Sequence, residues 1–444
     1  MRMALRSCAL VAAVAAAPLS LTAGVDRTGR ANLLLITVDT LRADYLGAYG
    51  RSGDPTPNLD RLASEGVLFE DVLAVIGKTG PSFASTFTSL YPPTHGARRN
   101  GVKMRDDVPI LAEILAAEGY QTAAFITNWT LKNHLSGVGR GFEHYDEEFN
   151  QQRRSLGGRE RDAETVTEAA LRWLQDHRTG VHRPLFLWLH YSEPHTPFIF
   201  HPGHRAPELA PEERTPQWEK RQKYYSEVSF TDQWIGTFLE RSEEYFPRDS
   251  TYLLFFSDHG ESLGEHNYWG HGKNVHWPNL RVPLILRGPT VPKNRRLPYA
   301  VSLIDILPTV LDLLAIEKPT ALAGLSLDGV WLTPPNARER YAFGDKHTAL
   351  WKKSRARYSH PLEISLQTPT AKAVFAFEKR GLAYFDLVAD PMEERALAQP
   401  TVDLRPSLGR RLADWYGNLA KFEQRNGTLA EEDIAQLRSL GYID

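Results

Sequence analysis

The chain has 444 residues, 42% of them apolar and 24% charged, with a formal net charge of −2. That length and composition suit a large globular protein with one sizeable core, or one core and a smaller appendage. The near-neutral balance excludes a global electrostatic case for nucleic-acid binding, and the single cysteine, Cys8, excludes a disulfide framework, so stability must come from packing.

The chain opens on a segment with the pattern of an export signal. Arg2 and Arg6 precede a short Ala/Leu/Val run from Cys8 to Leu21, and Leu21-Thr22-Ala23 is a small-residue cleavage site. The run is shorter than the about 20 apolar residues that a membrane span needs. Residues 1–23 are therefore expected to be removed, leaving a secreted or periplasmic protein without a stable membrane span.

Leu33–Val38 is a continuous apolar, β-rich run and reads as a buried strand of a parallel sheet, as do Phe186–Tyr191, Tyr252–Ser257 and Pro283–Leu286. Between them lie helical patterns: Ile110 to the stop signal Gly119, Ala163 to His177, and the stripe Val228, Ile235, Phe238 and Leu239. This alternation predicts an α/β fold with a mostly parallel central sheet flanked by helices. Asn150–Arg161 and His201–Thr215 read as surface loops. After Pro334-Pro335 the pattern changes to short alternating strands at Ala371–Phe377 and Leu382–Leu387, with a helical tail from Leu404. We expect a main domain over residues 30–335 and a smaller C-terminal α+β subdomain over 336–444.

The chemistry gathers at strand ends. Leu33–Val38 runs into Asp39, Tyr252–Ser257 into Asp258-His259-Gly260-Glu261, and Phe186–Tyr191 toward Glu193-Pro194-His195. In open α/β sheets ligands collect beyond the carboxyl ends of the strands. The physical reading is a divalent metal held by Asp39, Asp258 and His259. Carboxylates suit hard cations and imidazole shifts the choice toward Zn²⁺ or Mn²⁺, so Ca²⁺, Mn²⁺, Mg²⁺ and Zn²⁺ all stay open.

The run Gly77 to Gly96, which contains Lys78-Thr79-Gly80-Pro81-Ser82, resembles the nucleophile segment of the sulfatase family in the alkaline-phosphatase-like superfamily. Further ordered segments resemble the same family. Val38-Asp39-Thr40-Leu41-Arg42-Ala43-Asp44 with Gly47 looks like its first metal motif, Pro194-His195-Thr196-Pro197 like its substrate-histidine segment, and Ser257 to Glu261 like its second metal motif. Arg281–Ile285, Asp305–Thr309, Gly324–Leu327 and Tyr384–Asp386 with Asp390-Pro391 match later landmarks. The resemblance implies a sulfatase-like catalytic domain with Asp39, Asp258, His259 and the Thr79 oxygen around one divalent metal, Thr79 as nucleophile, and His195 and His271 against the substrate. The metal would lower the pKa of the Thr79 hydroxyl and neutralise charge on the ester oxygens. A helix opened by Thr79, Pro81 and Ser82 would place its positive end on the same spot. Lys78, Asn100, His195 and His271 are candidates for the remaining anionic oxygens, and His195 or His271 for protonating the leaving alcohol. His201, His204, His266 and His276 read as surface or supporting residues.

Several positions depart from the family pattern. Sulfatases place a Cys or Ser at the Thr79 position and oxidise it to formylglycine; a secondary alcohol cannot become an aldehyde, so no formylglycine is expected. Thr40 stands where many carry a second Asp, His259 where they carry Asn, Phe83 where an Arg follows, and Thr127-Asn128-Trp129 replaces a Gly-Lys-Trp-His segment. Lys78-Thr79 with Pro81, Leu90-Tyr91-Pro92-Pro93 and His95-Gly96 also resembles nucleotide pyrophosphatase/phosphodiesterases. Those use a Thr nucleophile, hold phosphate with an Asn where Asn100 falls, and bind two zinc ions; no second Asp/His/His set is evident here. The expected function is an exported, metal-dependent hydrolase of sulfate or phosphate (di)esters acting on a small-molecule, glycan or lipid ester. Two alternatives stay open: a phospho-group transferase to an alcohol acceptor, and a catalytically degenerate sulfatase-like binding protein.

Overall fold

Apolar runs of five to eight residues are too short for buried helices and pair instead into sheets. The computed structural model describes residues 29–149, 161–178, 183–204, 215–335, 339–344, 361–397 and 407–419. The expected signal segment and most of the two expected loops lie outside the described residues. The strands are β1 (Asn32–Val38), β2 (Val67–Leu73), β3 (Gln121–Phe125), β4 (His144–Asp146), β5 (Leu185–Tyr191), β6 (Thr251–Ser257), β7 (Ser262–Leu263), β8 (Trp269–Gly270), β9 (Leu284–Arg287) and β10 (Arg295–Ser302). Eight of them form the central sheet in the order β10-β2-β9-β6-β1-β5-β3-β4, and β7 and β8 make a small hairpin. β1 is paired parallel to both β5 and β6, and β3 is parallel to β4 and β5.

Side chains of β1 alternate between two cores, as a period of two demands. Leu33 and Leu35 join Phe83, Phe87, Trp188 and Phe256 on one face. Leu34, Ile36 and Val38 join Val166, Leu174, Val228, Ile235 and Phe238 on the other. The first face is covered by the helix Thr79–Thr88, the second by the helices Ala163–His177 and Pro216–Arg241. Asp162 caps the second of these by accepting from Thr165 N at 2.8 Å.

Strands β9 and β2 are among those that depart from the sequence expectation. β9 runs antiparallel to β2 and β6. Between β6 and β9 the chain stays at the carboxyl edge of the sheet in the β7–β8 hairpin, so it re-enters from that edge and runs back. β2 was not expected, because Glu70 and Asp71 interrupt its apolar pattern; Asp71 instead pairs with Arg340 at 2.6 and 2.8 Å. That ion pair belongs to a second sheet, β11 (Arg340–Gly344), β12 (Glu363–Gln367), β13 (Ala371–Ala376) and β14 (Gly381–Asp386), antiparallel throughout and in chain order. The helix Ser407–Asn418 packs Leu408 and Leu412 on this sheet, and Phe343 N donates to Val75 O at 2.8 Å, joining it to the first.

Candidate active site

The register Thr37↔Phe256 and Val38↔Ser257 carries β1 and β6 to the same edge. Each strand then continues into an Asp, so Asp39 and Asp258 come side by side, both fully buried. Thr40 takes a left-handed conformation (φ 54°) and directs its N–H to Asp258 Oδ1 at 3.4 Å. His259 follows directly. Its Nδ1 lies 3.0 Å from Gly260 O, which can only accept, so the proton sits on Nδ1 and the Nε2 lone pair faces the carboxylates. Nε2 is 3.6 Å from Asp39 Oδ1 and 3.5 Å from Asp258 Oδ2. One donor atom from each of the three residues falls within 4.8 Å of the others. Burial pushes the Asp258 carboxyl well above the usual carboxylate range, and its Oδ2 accepts no hydrogen bond. A buried oxygen left orphaned beside an imidazole lone pair is what a cation site presents before the cation is bound. The donor set of two carboxylates and one imidazole fits a divalent metal.

Thr79 begins the helix Thr79–Thr88, whose residues are all buried. Its Oγ1 lies 3.4 Å from Asp39 Oδ2 and 3.4 Å from His259 Nε2. The helix is anchored by Ser82 Oγ, which donates to Asp258 O at 2.7 Å. Asn100 Oδ1 accepts from Gly80 N at 3.0 Å. That assignment turns its Nδ2 outward from the helix, buried and with no hydrogen-bond partner. Lys78 is buried at the start of the same helix. Gly272 lies against it: a Cβ there would stand 2.9 Å from Lys78 Cε and 2.8 Å from Gly77 O, and its φ is +86°. Only glycine lets the segment holding His271 cross so near the start of the helix Thr79–Thr88.

His271 and His195 meet over this cluster. Their ring centroids are 5.2 Å apart, and the His271 ring is 4.6 Å from that of His259. His271 Nδ1 lies 3.2 Å from Glu261 Oε2. Burial and then the Lys78 charge hold the His271 pKa down to about 3, and burial raises Glu261 to about 8. The structure thus brings together Asp39, Lys78, Thr79, Asn100, His195, Asp258, His259 and His271. His201, His204, His266 and His276 lie elsewhere. His201 stacks on Phe230 with centroids 3.8 Å apart, and His204 Nδ1 is 3.0 Å from Ser229 Oγ. His266 stacks on His276 at 4.0 Å, while His276 Nδ1 is 2.9 Å from Glu393 Oε2.

Two neighbours of the cluster were not singled out from sequence as site residues. Asn128 Nδ2 donates to Asp39 Oδ2, while its Oδ1 accepts from Thr130 N at 2.8 Å. Asn128 lies just past β3, a strand too short to stand out; recognised as a strand, it would have marked Asn128 as another residue at the carboxyl edge. Glu261 was visible only as the last letter of a motif. Its contact with His271 depends on the β7–β8 hairpin folding back.

A largely parallel sheet between helix layers, whose carboxyl edge gathers two carboxylates, an imidazole and a helix-opening hydroxyl, is the plan of the alkaline-phosphatase-like class of ester hydrolases. Within that class the chain belongs to the sulfatase family: the family described as Sulfatase matches residues 31–316. It is 26% identical over 405 residues to the ulvan-active sulfatase of Formosa agariphila, which covers 84% of this chain and 78% of that protein. Among solved structures it is similar to the phosphonate monoester hydrolase of Agrobacterium radiobacter, with a TM-score of 0.72 and 20% identity over 91% of this chain and 99% of that one. A structure solved with its substrate D-glucosamine-2-N,6-O-disulfate gives a TM-score of 0.71 and 21% identity, covering 88% of this chain and 99% of that one. At such identities the solved structures speak for the fold. Among the described residues no helix is long and apolar enough to cross a membrane.

Proposed function

We propose that this protein is an exported, metal-dependent hydrolase of sulfate or phosphate (di)esters in which Thr79 is the covalent nucleophile. The observation that carries the reading is the place of Thr79 Oγ1, equidistant at 3.4 Å from Asp39 Oδ2 and His259 Nε2 at a helix start. Export rests on the signal-like pattern of residues 1–23. The substrate is a small-molecule, glycan or lipid ester.

Asp39, Asp258 and His259, with the Thr79 oxygen, would hold one divalent cation, which when bound supplies a lowered pKa for the Thr79 hydroxyl and positive charge against the ester oxygens. The remaining steps belong to the chain's own groups. The partial positive charge of the helix start favours an anionic oxygen at Thr79 and the tetrahedral anion beside it. Lys78 and the unpartnered Asn100 Nδ2 bind the non-bridging oxygens. Thr79 Oγ forms a bond to phosphorus or sulfur as the bond to the alcohol oxygen breaks. The proton lost by Thr79 ends on that alcohol, relayed by an imidazole. Glu261 in its ionised form accepts from His271 Nδ1–H and leaves Nε2 as the atom that takes up and passes on this proton; His195 stands beside it. Water then attacks the Thr ester at phosphorus or sulfur; one of its protons goes to the Thr79 oxygen as that bond breaks, and the product leaves as sulfate from a sulfate ester, phosphate from a phosphomonoester or a phosphomonoester from a diester. A Thr ester has no elimination route of the hemiacetal kind, so this direct attack is required, and it favours phosphate esters on chemical grounds.

The test is an assay pair on purified protein with each metal added back, comparing an aryl phosphodiester with an aryl sulfate and using Thr79→Ala as control. Cleavage of either ester that is lost in Thr79→Ala is the expected result, since family membership favours sulfate esters as the chemistry favours phosphate; diester cleavage would assign a phosphodiesterase. Sulfate cleavage lost in the same variant would assign a sulfatase that works without formylglycine. Turnover that survives Thr79→Ala would overturn the nucleophile assignment.

A further inference from the structure

β1 and β5 pair with Thr37 opposite His190, so these two side chains share one face of the sheet, the face that continues to Asp39 two residues on. The His190 ring is fully buried. Trp188 and the edge of Phe83 wall it in, at centroid distances of 6.0 and 5.1 Å. Phe83 occupies the position where the sulfatase pattern has an Arg. His190 Nδ1 lies 2.9 Å from Thr37 Oγ1. His190 Nε2 has no hydrogen-bond partner and faces Asp39 Oδ2 at 4.0 Å.

The neighbours favour one place for the proton. Trp188 Nε1 can only donate, and it donates to Thr37 Oγ1 at 2.9 Å. The proton of Thr37 then goes either to His190 Nδ1 at 2.9 Å or to Leu189 O at 3.5 Å. The shorter contact favours Nδ1 as the acceptor, and with Asp39 Oδ2 in front of Nε2 a proton on Nε2 avoids setting a lone pair against a carboxylate. A histidine that served only to fill the core would have both nitrogens satisfied. Here one N–H dipole is aimed, among fully buried side chains, at a carboxylate of the proposed metal site. At 4.0 Å it acts electrostatically rather than as a hydrogen bond, and low local polarity strengthens that action.

We infer that His190, held by the Trp188–Thr37 relay, is a positioning residue for Asp39 that raises the protein's affinity for its divalent cation. Oδ2 of Asp39 accepts from Asn128 Nδ2 and faces Thr79 Oγ1 at 3.4 Å and His190 Nε2 at 4.0 Å, while Oδ1 stays turned toward His259 Nε2 at 3.6 Å. Outer partners of this kind orient ligating carboxylates, and their loss typically costs about 10- to 100-fold in metal affinity. The inference rests on the metal reading proposed above.

The experiment is a calorimetric titration of chelator-stripped full-length protein with Mn²⁺ and with Zn²⁺, beside melting curves of each stripped variant. His190→Ala is expected to bind about 10- to 100-fold more weakly. His190→Gln, which keeps an amide donor, is expected to recover most of that loss. Thr37→Val, which removes the relay but keeps the strand's shape, is expected to weaken binding several-fold, and it decides the matter if His190→Ala does not fold. Wild-type affinity in His190→Ala, or in Thr37→Val, would overturn the inference while leaving the metal reading intact. A wild-type chain that binds neither cation would overturn both.

Discussion

Two regions bury a carboxylate beside an imidazole, and they treat the charge in opposite ways. At the junction of the two sheets Lys372 Nζ bonds Glu393 Oε1 and Oε2 at 2.8 and 3.0 Å and also Val275 O. His276 Nδ1 meets Glu393 Oε2 from the other side. Burial pushes Glu393 up, but Lys372 and His276 outweigh it and leave the carboxyl below its usual range. At the carboxyl edge of the central sheet Asp258 is just as buried, yet its Oδ2 accepts nothing and burial leaves it raised. Burial costs are similar in kind, so the difference lies in compensation. The junction is complete within the chain; the strand-end cluster is arranged for something the chain does not itself supply.

The sharpest test of this contrast is Asp258→Asn. Removing a raised, unsatisfied carboxylate is expected to lower ester hydrolysis by at least about a thousandfold without lowering the melting temperature of chelator-stripped protein. A clear loss of stability in the stripped variant would mean that the cluster is structural. Lys372→Met is expected to do the reverse. It leaves Glu393 buried without its main partner and should cost about 3 to 5 kcal/mol in urea unfolding, much of it recovered in Lys372→Met with Glu393→Gln. If Lys372→Met is neutral, the junction is not held by its ion pair.

A smaller effect is expected from Glu261→Gln. Losing the tautomer hold on His271 should slow an alkyl ester about a hundredfold and slow a 4-nitrophenyl ester far less, because that alcohol leaves without a proton. Equal losses on both would place Glu261 in folding rather than in proton transfer.

The smallest effect concerns His95, which lies outside the Asp39–Asp258–His259 cluster. Its Nδ1 accepts from Ala97 N at 3.2 Å and its Nε2 is 2.9 Å from Ser85 Oγ. Burial, then Arg98, holds its pKa down to about 3. The unfolded chain binds a proton near pH 6.5 that the folded chain refuses. Stability from this group is therefore complete above about pH 6.5 and lost as pH falls toward about 3, at up to about 1.4 kcal/mol per pH unit. His95→Gln should flatten that part of the acid limb of the stability curve; an unchanged slope would show that the ring is already charged in the fold.

Much of this could be read from the chain alone. Leu33–Val38, Phe186–Tyr191 and Tyr252–Ser257 are continuous apolar runs, and a run buried on both faces carries its own signal. Asp39, Asp258 and His259 follow such runs directly, so their place at a sheet edge was legible, as was Thr79 at a helix start marked by Pro81. β2 and β10 were not legible. Glu70 and Asp71 break the first pattern, and Arg295, Arg296 and Pro298 break the second; those strands exist because each has partners far away in the chain to pair with.

By itself the sequence determined which residues end strands and that Thr79 opens a helix, since those follow from local periodicity and breaker residues. Tertiary structure alone decided what those residues face. The β1–β6 register sets Asp39 beside Asp258, the β7–β8 hairpin brings Glu261 to His271, and the β1–β5 register sets His190 toward Asp39. The physical reason is that a pairing register slides by whole residues, and each step turns a side chain to the opposite face. No local pattern records that choice; packing on both faces of the sheet does.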